Sequence, residues 1–121
     1  MKKTELGIWG EEQAALFLEK EAYQILARNF RCRLGEVDII AKKAGYLVFV
    51  EVKLRKNKDY GEAREFVNYT KQNKIRLTAE YYLSARPWAQ TLQPRFDVME
   101  IYAPEGKDGA FHINHLEDAF E

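Results

Sequence analysis

Glu51 and Lys53 stand two apart in VFVEVKLRK, residues 48–56, directly after the apolar run Val48, Phe49, Val50. In a strand both project from one face and Val52 from the other. Desolvating a charged group is costly, so a carboxylate and an amine placed here need partners or a task. A second stretch, GEVDIIAK, precedes them across a short turn at Ala44-Gly45. If the two pair as an antiparallel hairpin around that turn, opposed residue numbers sum to 89. Val37 then faces Val52, Ile39 faces Val50 and Ala41 faces Val48. On the other face Ile40 meets Phe49, Asp38 meets Glu51 and Glu36 meets Lys53. A one-residue slip would set the charges against the valines, so the pattern specifies its register.

That register opposes two carboxylates, which is destabilising unless one takes up a proton or a cation sits between them. Mg2+ binds through one or two carboxylates plus waters and substrate phosphates, and Mn2+ accepts the same oxygen ligands. With Lys53 beside it, such a site has the parts for metal-assisted phosphodiester hydrolysis. The segment TELGIWGEEQAALFLEKEAY adds a third acid. Its apolar residues Ile8, Trp9, Ala14, Ala15, Leu18 and Ala22 fall at helical spacing behind Thr4, a good cap. Glu11 lies on or beside that stripe, whereas Glu12 aligns with Leu16 and Glu19 on a more polar side. Gly7 and Gly10 flank Glu11 and point to close backbone packing or ligand access. Glu11 reaching the Asp38–Glu51 pair would complete one metal site or begin a second.

The elements that must position these residues form one α/β unit. QILARNFRC, GEVDIIAK and YLVFVEVK read as three successive strands after the first helix. LRKNKDYGEA reads as a loop, and the charged RKNKDYGEARE as either a solvated loop or a flap hinged at Gly61. A helical pattern runs from about Glu62 to Ala85, with a break near Asn68. RFDVMEIY is a further strand, GAFHIN a weaker one and HLEDAF a final helical turn. The expected fold is a single domain, residues 1–121, with a mixed β-sheet flanked by helices. His112 and His115 have no ligand spacing around them and read as surface residues. Cys32 reads as a small buried or half-buried side chain with no reactive role, and Tyr81, Tyr82 and Trp88 as core or partner-facing aromatics.

The composition narrows the function classes. The 121 residues suffice for one core, and Lys plus Arg balance Asp plus Glu at 19 each. A basic tail is excluded, so nucleic acid could be held only by a local patch. The single cysteine rules out an intrachain disulfide and fits a reducing cytoplasm. No apolar run approaches the roughly 20 residues of a membrane span, and no apolar segment follows the N-terminal lysines as in a secretory signal.

GEVDII, a short turn and VFVEVKLR together resemble the PD-(D/E)xK core of restriction-endonuclease-like nucleases. The fuller series is similar to the YraN family of small bacterial proteins: GxxGEEQA, RNFRCRLGEVDII, VFVEVKLR, a helix beginning near Lys71, RFDVMEI and HLEDAF. That family is akin in its core to archaeal Holliday-junction resolvases. The resemblance spans nearly the whole chain. It implies a restriction-endonuclease-like fold and a Mg2+- or Mn2+-dependent endonuclease acting on DNA, branched DNA included. It makes Asp38, Glu51 and Glu11 the metal-ligating acids, with Lys53 the catalytic lysine. Arg31, Arg55 and Lys71 become the phosphate contacts. Glu36 departs from the pattern, standing where a proline-like lead-in is usual. The alternatives are a nuclease-fold nucleic-acid-binding protein with little or no catalysis, or an interaction module keeping only the fold. By analogy with symmetrical cutting of two strands, a homodimer is expected.

Overall fold

The computed structural model describes residues 3–56 and 67–121. The elements run α1 (Glu5–Lys20), β1 (Gln24–Cys32), β2 (Gly35–Lys43), β3 (Tyr46–Arg55), α2 (Tyr69–Ser84), β4 (Gln93–Tyr102) and β5 (His112–Phe120), with short 3₁₀ turns at Pro87–Thr91 and Gly106–Asp108. They form one small α/β domain around a five-stranded sheet, in the order β1-β2-β3-β4-β5. β3 and β4 pair in parallel and every other pair is antiparallel. A parallel pair needs a long crossover, and α2 lies within it.

α1 begins where Thr4 accepts a hydrogen bond from the Gly7 amide at 3.0 Å, satisfying one of the free amides of the first turn. It ends in a left-handed residue, Ala22 (φ 68°). There Ala22 N donates to Glu19 O and Tyr23 N to Leu18 O, the two bonds of a Schellman cap. The apolar stripe is narrower than its spacing predicts. Gly10, Ala14, Ala15 and Leu18 are buried, but Ile8 is half exposed and Ala22 lies past the helix end.

The alternation of the strands fills two cores on opposite sides of the sheet. Ile39, Ala41, Val48, Val50, Met99 and Ile101 pack under Ala14 and Leu18 of α1. Ile40, Leu47, Phe49 and Val98 pack under Ile75, Ala79 and Tyr82 of α2. Tyr82 is buried edge-on to Phe30 and Phe49, while Tyr81 and Trp88 are half exposed. The β2–β3 turn holds Ala44 at φ 50° and Gly45 at φ 86°. Two positive-φ residues in a two-residue loop match the right-handed twist of the strands, so the hairpin closes at Lys43↔Tyr46 and runs to Ile39↔Val50 in the expected register.

Four expectations need correction. The β2–β3 ladder stops at Ile39↔Val50, so Val37–Val52, Asp38–Glu51 and Glu36–Lys53 are not ladder pairs. Val37 packs on the α2 side with Ile40, and not beside Ile39 and Ala41. The alternation breaks at Asp38. Its neighbours pair with β1 as Ile39↔Arg28 and Val37↔Phe30, around Asn29 in a left-handed conformation (φ 52°). HLEDAF is the end of β5 and not a helical turn. Its pairing shifts between Phe96↔Phe120 and Val98↔Leu116, at a bulge where Asp118 takes φ 52°. The bulge brings Leu116, Ala119 and Phe120 onto one core, which reproduces helical spacing within a strand. β3 runs two residues further than predicted, through Arg55. α2 starts at Tyr69, where the Asn68 side chain caps the Lys71 amide at 2.9 Å. The predicted flap and the first residues of the predicted helix, 57–66, lie outside the described residues.

Candidate functional site

Where β2 leaves β3, the gap is filled by acids. The Asp38 carboxylate accepts a hydrogen bond from the Val52 amide at 2.8 Å, standing in for the missing ladder bond. Its own strand thus aims it into the fork. Glu51, the first β3 residue past the last ladder pair, lies within reach of the Asp38 charge. Glu11 reaches the same place from α1, on the buried side of that helix. The three are 4%, 5% and 7% exposed for Glu11, Asp38 and Glu51, so their mutual repulsion acts with little water to screen it.

The relief takes both forms open to opposed carboxylates. One is a cation: the Lys3 ammonium donates to Asp38 at 2.6 Å and also to Glu11, bridging the two. Burial disfavours the Lys3 charge, but the hydrogen bonds and charges of Asp38 and Glu11 outweigh it and hold its pKa above the ordinary lysine range. The other is a proton. Burial, then the charge of Asp38, raises the Glu51 pKa to about 7 against the pull of Lys71. Burial and Asp38 also push Glu11 up, against Lys3 and a hydrogen bond from Asn29.

A second amine pair closes the other side. Lys71, from the first turn of α2, places its ammonium 3.0 Å from Glu51. Lys53 and Lys71 are close enough for the charge of each to act on the other. Burial and the neighbouring Lys71 charge lower the Lys53 pKa, while the charge of Glu51 and its hydrogen bonds carry Lys71 upward against burial.

Glu11, Asp38, Glu51, Lys53 and Lys71 therefore come together. Arg31 and Arg55 are held by other acids. Arg31 is exposed and paired with Glu36 at 2.8 Å, so Glu36 does not pair with Lys53 as the simple register predicts. Arg55 is 11% exposed in its side chain and ion-paired with Glu100. Two members escaped the sequence reading. Lys3 lies just before the helix cap and shows no local pattern. Asn29 carried a signal, since asparagine is depleted in strands and enriched in the left-handed region.

A second polar centre lies under α1. Asp97, fully buried, receives two hydrogen bonds from Arg95 at 2.9 and 2.7 Å and one from the Asp118 amide at 2.9 Å. His115 Nε2 lies 2.7 Å from the same carboxylate, and Arg95 also donates to the Tyr23 hydroxyl at 2.7 Å. Burial opposes the Asp97 charge, but these bonds hold its pKa below the usual carboxylate range. His115, 9% exposed, is thus a member of this network and not a surface residue. Arg95 and Asp97 stand two apart on β4 and so share a face, an Arg-x-Asp spacing visible in RFDVMEI.

Three carboxylates form an oxygen-donor set of the kind Mg2+ and Mn2+ prefer. Among the described residues no three His, Cys, Asp or Glu side chains are grouped so as to hold a metal ion. The Lys3 ammonium stands between two of the acids instead. Carboxylate oxygens are the donor type a divalent ion takes, but as the side chains stand Lys3 holds the place between Glu11 and Asp38.

The profile described as "Uncharacterised protein family UPF0102" matches residues 10–101. A UPF0102 protein of Caldicellulosiruptor saccharolyticus is 48% identical over 120 residues, covering 99% of this chain and 100% of that protein. Another, from Lachnoclostridium phytofermentans, is 47% identical over 105 residues, covering 87% and 89%. A third, from Clostridium acetobutylicum, is 45% identical over 115 residues, covering 95% and 93%.

Proposed function

The chain belongs to the uncharacterised protein family UPF0102, and from that premise we propose that it is a metal-dependent DNA endonuclease with a restriction-endonuclease-like fold, acting in the cytoplasm on DNA that includes branched forms. One observation carries this reading: three buried acids and a lysine with a lowered pKa share the fork between β2 and β3. Asp38, Glu51 and Glu11 would hold Mg2+ or Mn2+, which when bound supplies Lewis-acid polarisation of a phosphoryl oxygen and an acidified water. The Val52 amide fixes the Asp38 carboxylate in direction. Lys53, its charged form disfavoured by burial and by the neighbouring Lys71 charge, orients the attacking water. Lys71, kept charged, stabilises the negative charge that grows on the phosphate. Arg31 is exposed beside this edge and contacts the strand flanking the cleaved bond. Cutting both strands symmetrically would call for a homodimer.

A second reading, DNA binding without cleavage, is favoured by Lys3 and Lys71 already neutralising the acids. A pair of measurements separates the two. Mn2+ raises the melting temperature of the wild type and not of Asp38→Ala if the acids bind metal. Linear and branched DNA left uncut across Mg2+ and Mn2+ would remove the catalytic reading and leave binding alone. Failure to bind either DNA at low salt would remove both.

A further inference from the structure

Beside the acid cluster, between the β1–β2 turn and α2, lies a groove of about 370 Å³. Arg31, Lys71 and Lys74 line it against one acid, Glu36, while Cys32 and Ile75 supply an apolar wall. The Arg31–Glu36 pair is half exposed on both sides, so opening it costs little. Lys74 makes no ion pair among the described residues, and its side chain stands at the exposed rim. Lys71 belongs to both places, because the same ammonium contacts Glu51. Gly35 sets the depth. A Cβ there would meet Thr78 Oγ1 at 2.8 Å and the Lys74 carbonyl at 3.3 Å, so only glycine lets the turn rest directly on α2.

We propose that this groove holds one phosphate-bearing nucleotide of an unpaired strand, next to the bond placed at the acid cluster. This inference rests on the nuclease reading and names its substrate class: DNA in which one strand is single at the site, as at a flap, fork or overhang. Its volume is at the small end of the roughly 300–1,000 Å³ of ligand pockets, a size for one nucleotide and not for a stretch of duplex. A duplex presents phosphates to a basic surface and keeps its bases stacked. An unpaired nucleotide also brings an apolar face, which suits the Ile75 and Cys32 wall. The chain as a whole has no net charge, so the attraction must come from a local set of cations such as this one.

The test is binding in EDTA, so that cleavage plays no part. A fluorescent oligothymidylate and a blunt duplex of equal length are titrated against the wild type, Lys74→Ala and Lys74→Glu across a salt series. The single strand binds the wild type more tightly than the duplex does. Lys74→Glu weakens it at least about tenfold, and Lys74→Ala reduces the log–log salt slope by about 0.7, the loss of one phosphate contact. Lys74 is exposed, so unchanged melting temperatures show that both variants fold. Duplex binding as tight as single-strand binding, or equal affinity in Lys74→Glu, overturns the proposal. Mn2+ stabilisation of the wild type that Asp38→Ala abolishes, found together with either of those results, would sink the groove and leave the metal site standing. Strand binding that depends on Lys74, with no Mn2+ response, would do the reverse.

Discussion

Replacing Glu51 by glutamine should make the protein's stability less dependent on pH, and in a defined direction. The Glu51 carboxyl has a pKa near 4.5 when unfolded and about 7 when folded, raised chiefly by burial and then by the charge of Asp38. Between those values the folded state holds more protons than the unfolded one, so stability falls as pH rises through the window. Below about pH 4.5 the group contributes no penalty, and above about pH 7 the penalty is complete. A tenfold change in proton affinity is worth about 1.4 kcal/mol, so a rise from 4.5 to about 7 sets a ceiling of about 3 kcal/mol. Glutamine keeps the shape and cannot ionise. Urea denaturation of wild type and Glu51→Gln at pH 5 and pH 8 reads the difference directly, because every other titrating group is common to both chains. The variant should gain about 2–3 kcal/mol relative to wild type on going from pH 5 to pH 8. A gap that stays constant within about 0.5 kcal/mol, or one that moves the other way, would refute the argument that Glu51 is kept protonated by burial beside Asp38.

Two further outcomes follow from the charge networks. Asp97→Asn removes the charge that Arg95 and His115 share in a fully buried site; it should cost about 3 kcal/mol and lower the melting temperature by roughly 10 °C, a value read by calorimetry, and a fall under about 3 °C would contradict it. Lys3→Met removes the ammonium between Glu11 and Asp38. Two unit charges about 4 Å apart interact by roughly 4 kcal/mol at an effective dielectric constant of about 20. Since Lys3 is partly exposed, about a third of that remains, so Mn2+ should bind the variant about tenfold more tightly by isothermal titration; equal or weaker binding would show that Lys3 does not compete for the place.

The central hairpin was legible because its cause is local. Ala44-Gly45 dictates the turn, the turn dictates the register, and alternating valines and isoleucines dictate which faces are buried. The break at Asp38 was not legible in the same way, since it depends on Asn29 in the preceding strand taking a left-handed conformation across the ladder. HLEDAF misled for a physical reason: a bulged strand and a helical turn can place the same apolar residues on one side. Asp38 and Glu51 were singled out as a directly opposed ladder pair, whereas they meet at the fork beyond the last ladder pair, where Asp38 takes the Val52 amide. Lys3 was not singled out, because a flexible side chain next to a helix cap reaches its partners through tertiary packing that no spacing encodes. The Asp97 network joins Arg95 on β4, His115 and Asp118 on β5 and Tyr23 just before β1, which meet only when the sheet is assembled.

Asn29 and Asp118 share one more consequence. β1 and β5 are the outermost strands, and each carries one of these left-handed residues. A straight outer strand offers unpaired amides and carbonyls to any passing chain, and stacked copies can grow from it into fibrils. A kink on either rim interrupts the run of evenly spaced groups that such growth needs. Among the described residues, each margin thus carries its own interruption against extension.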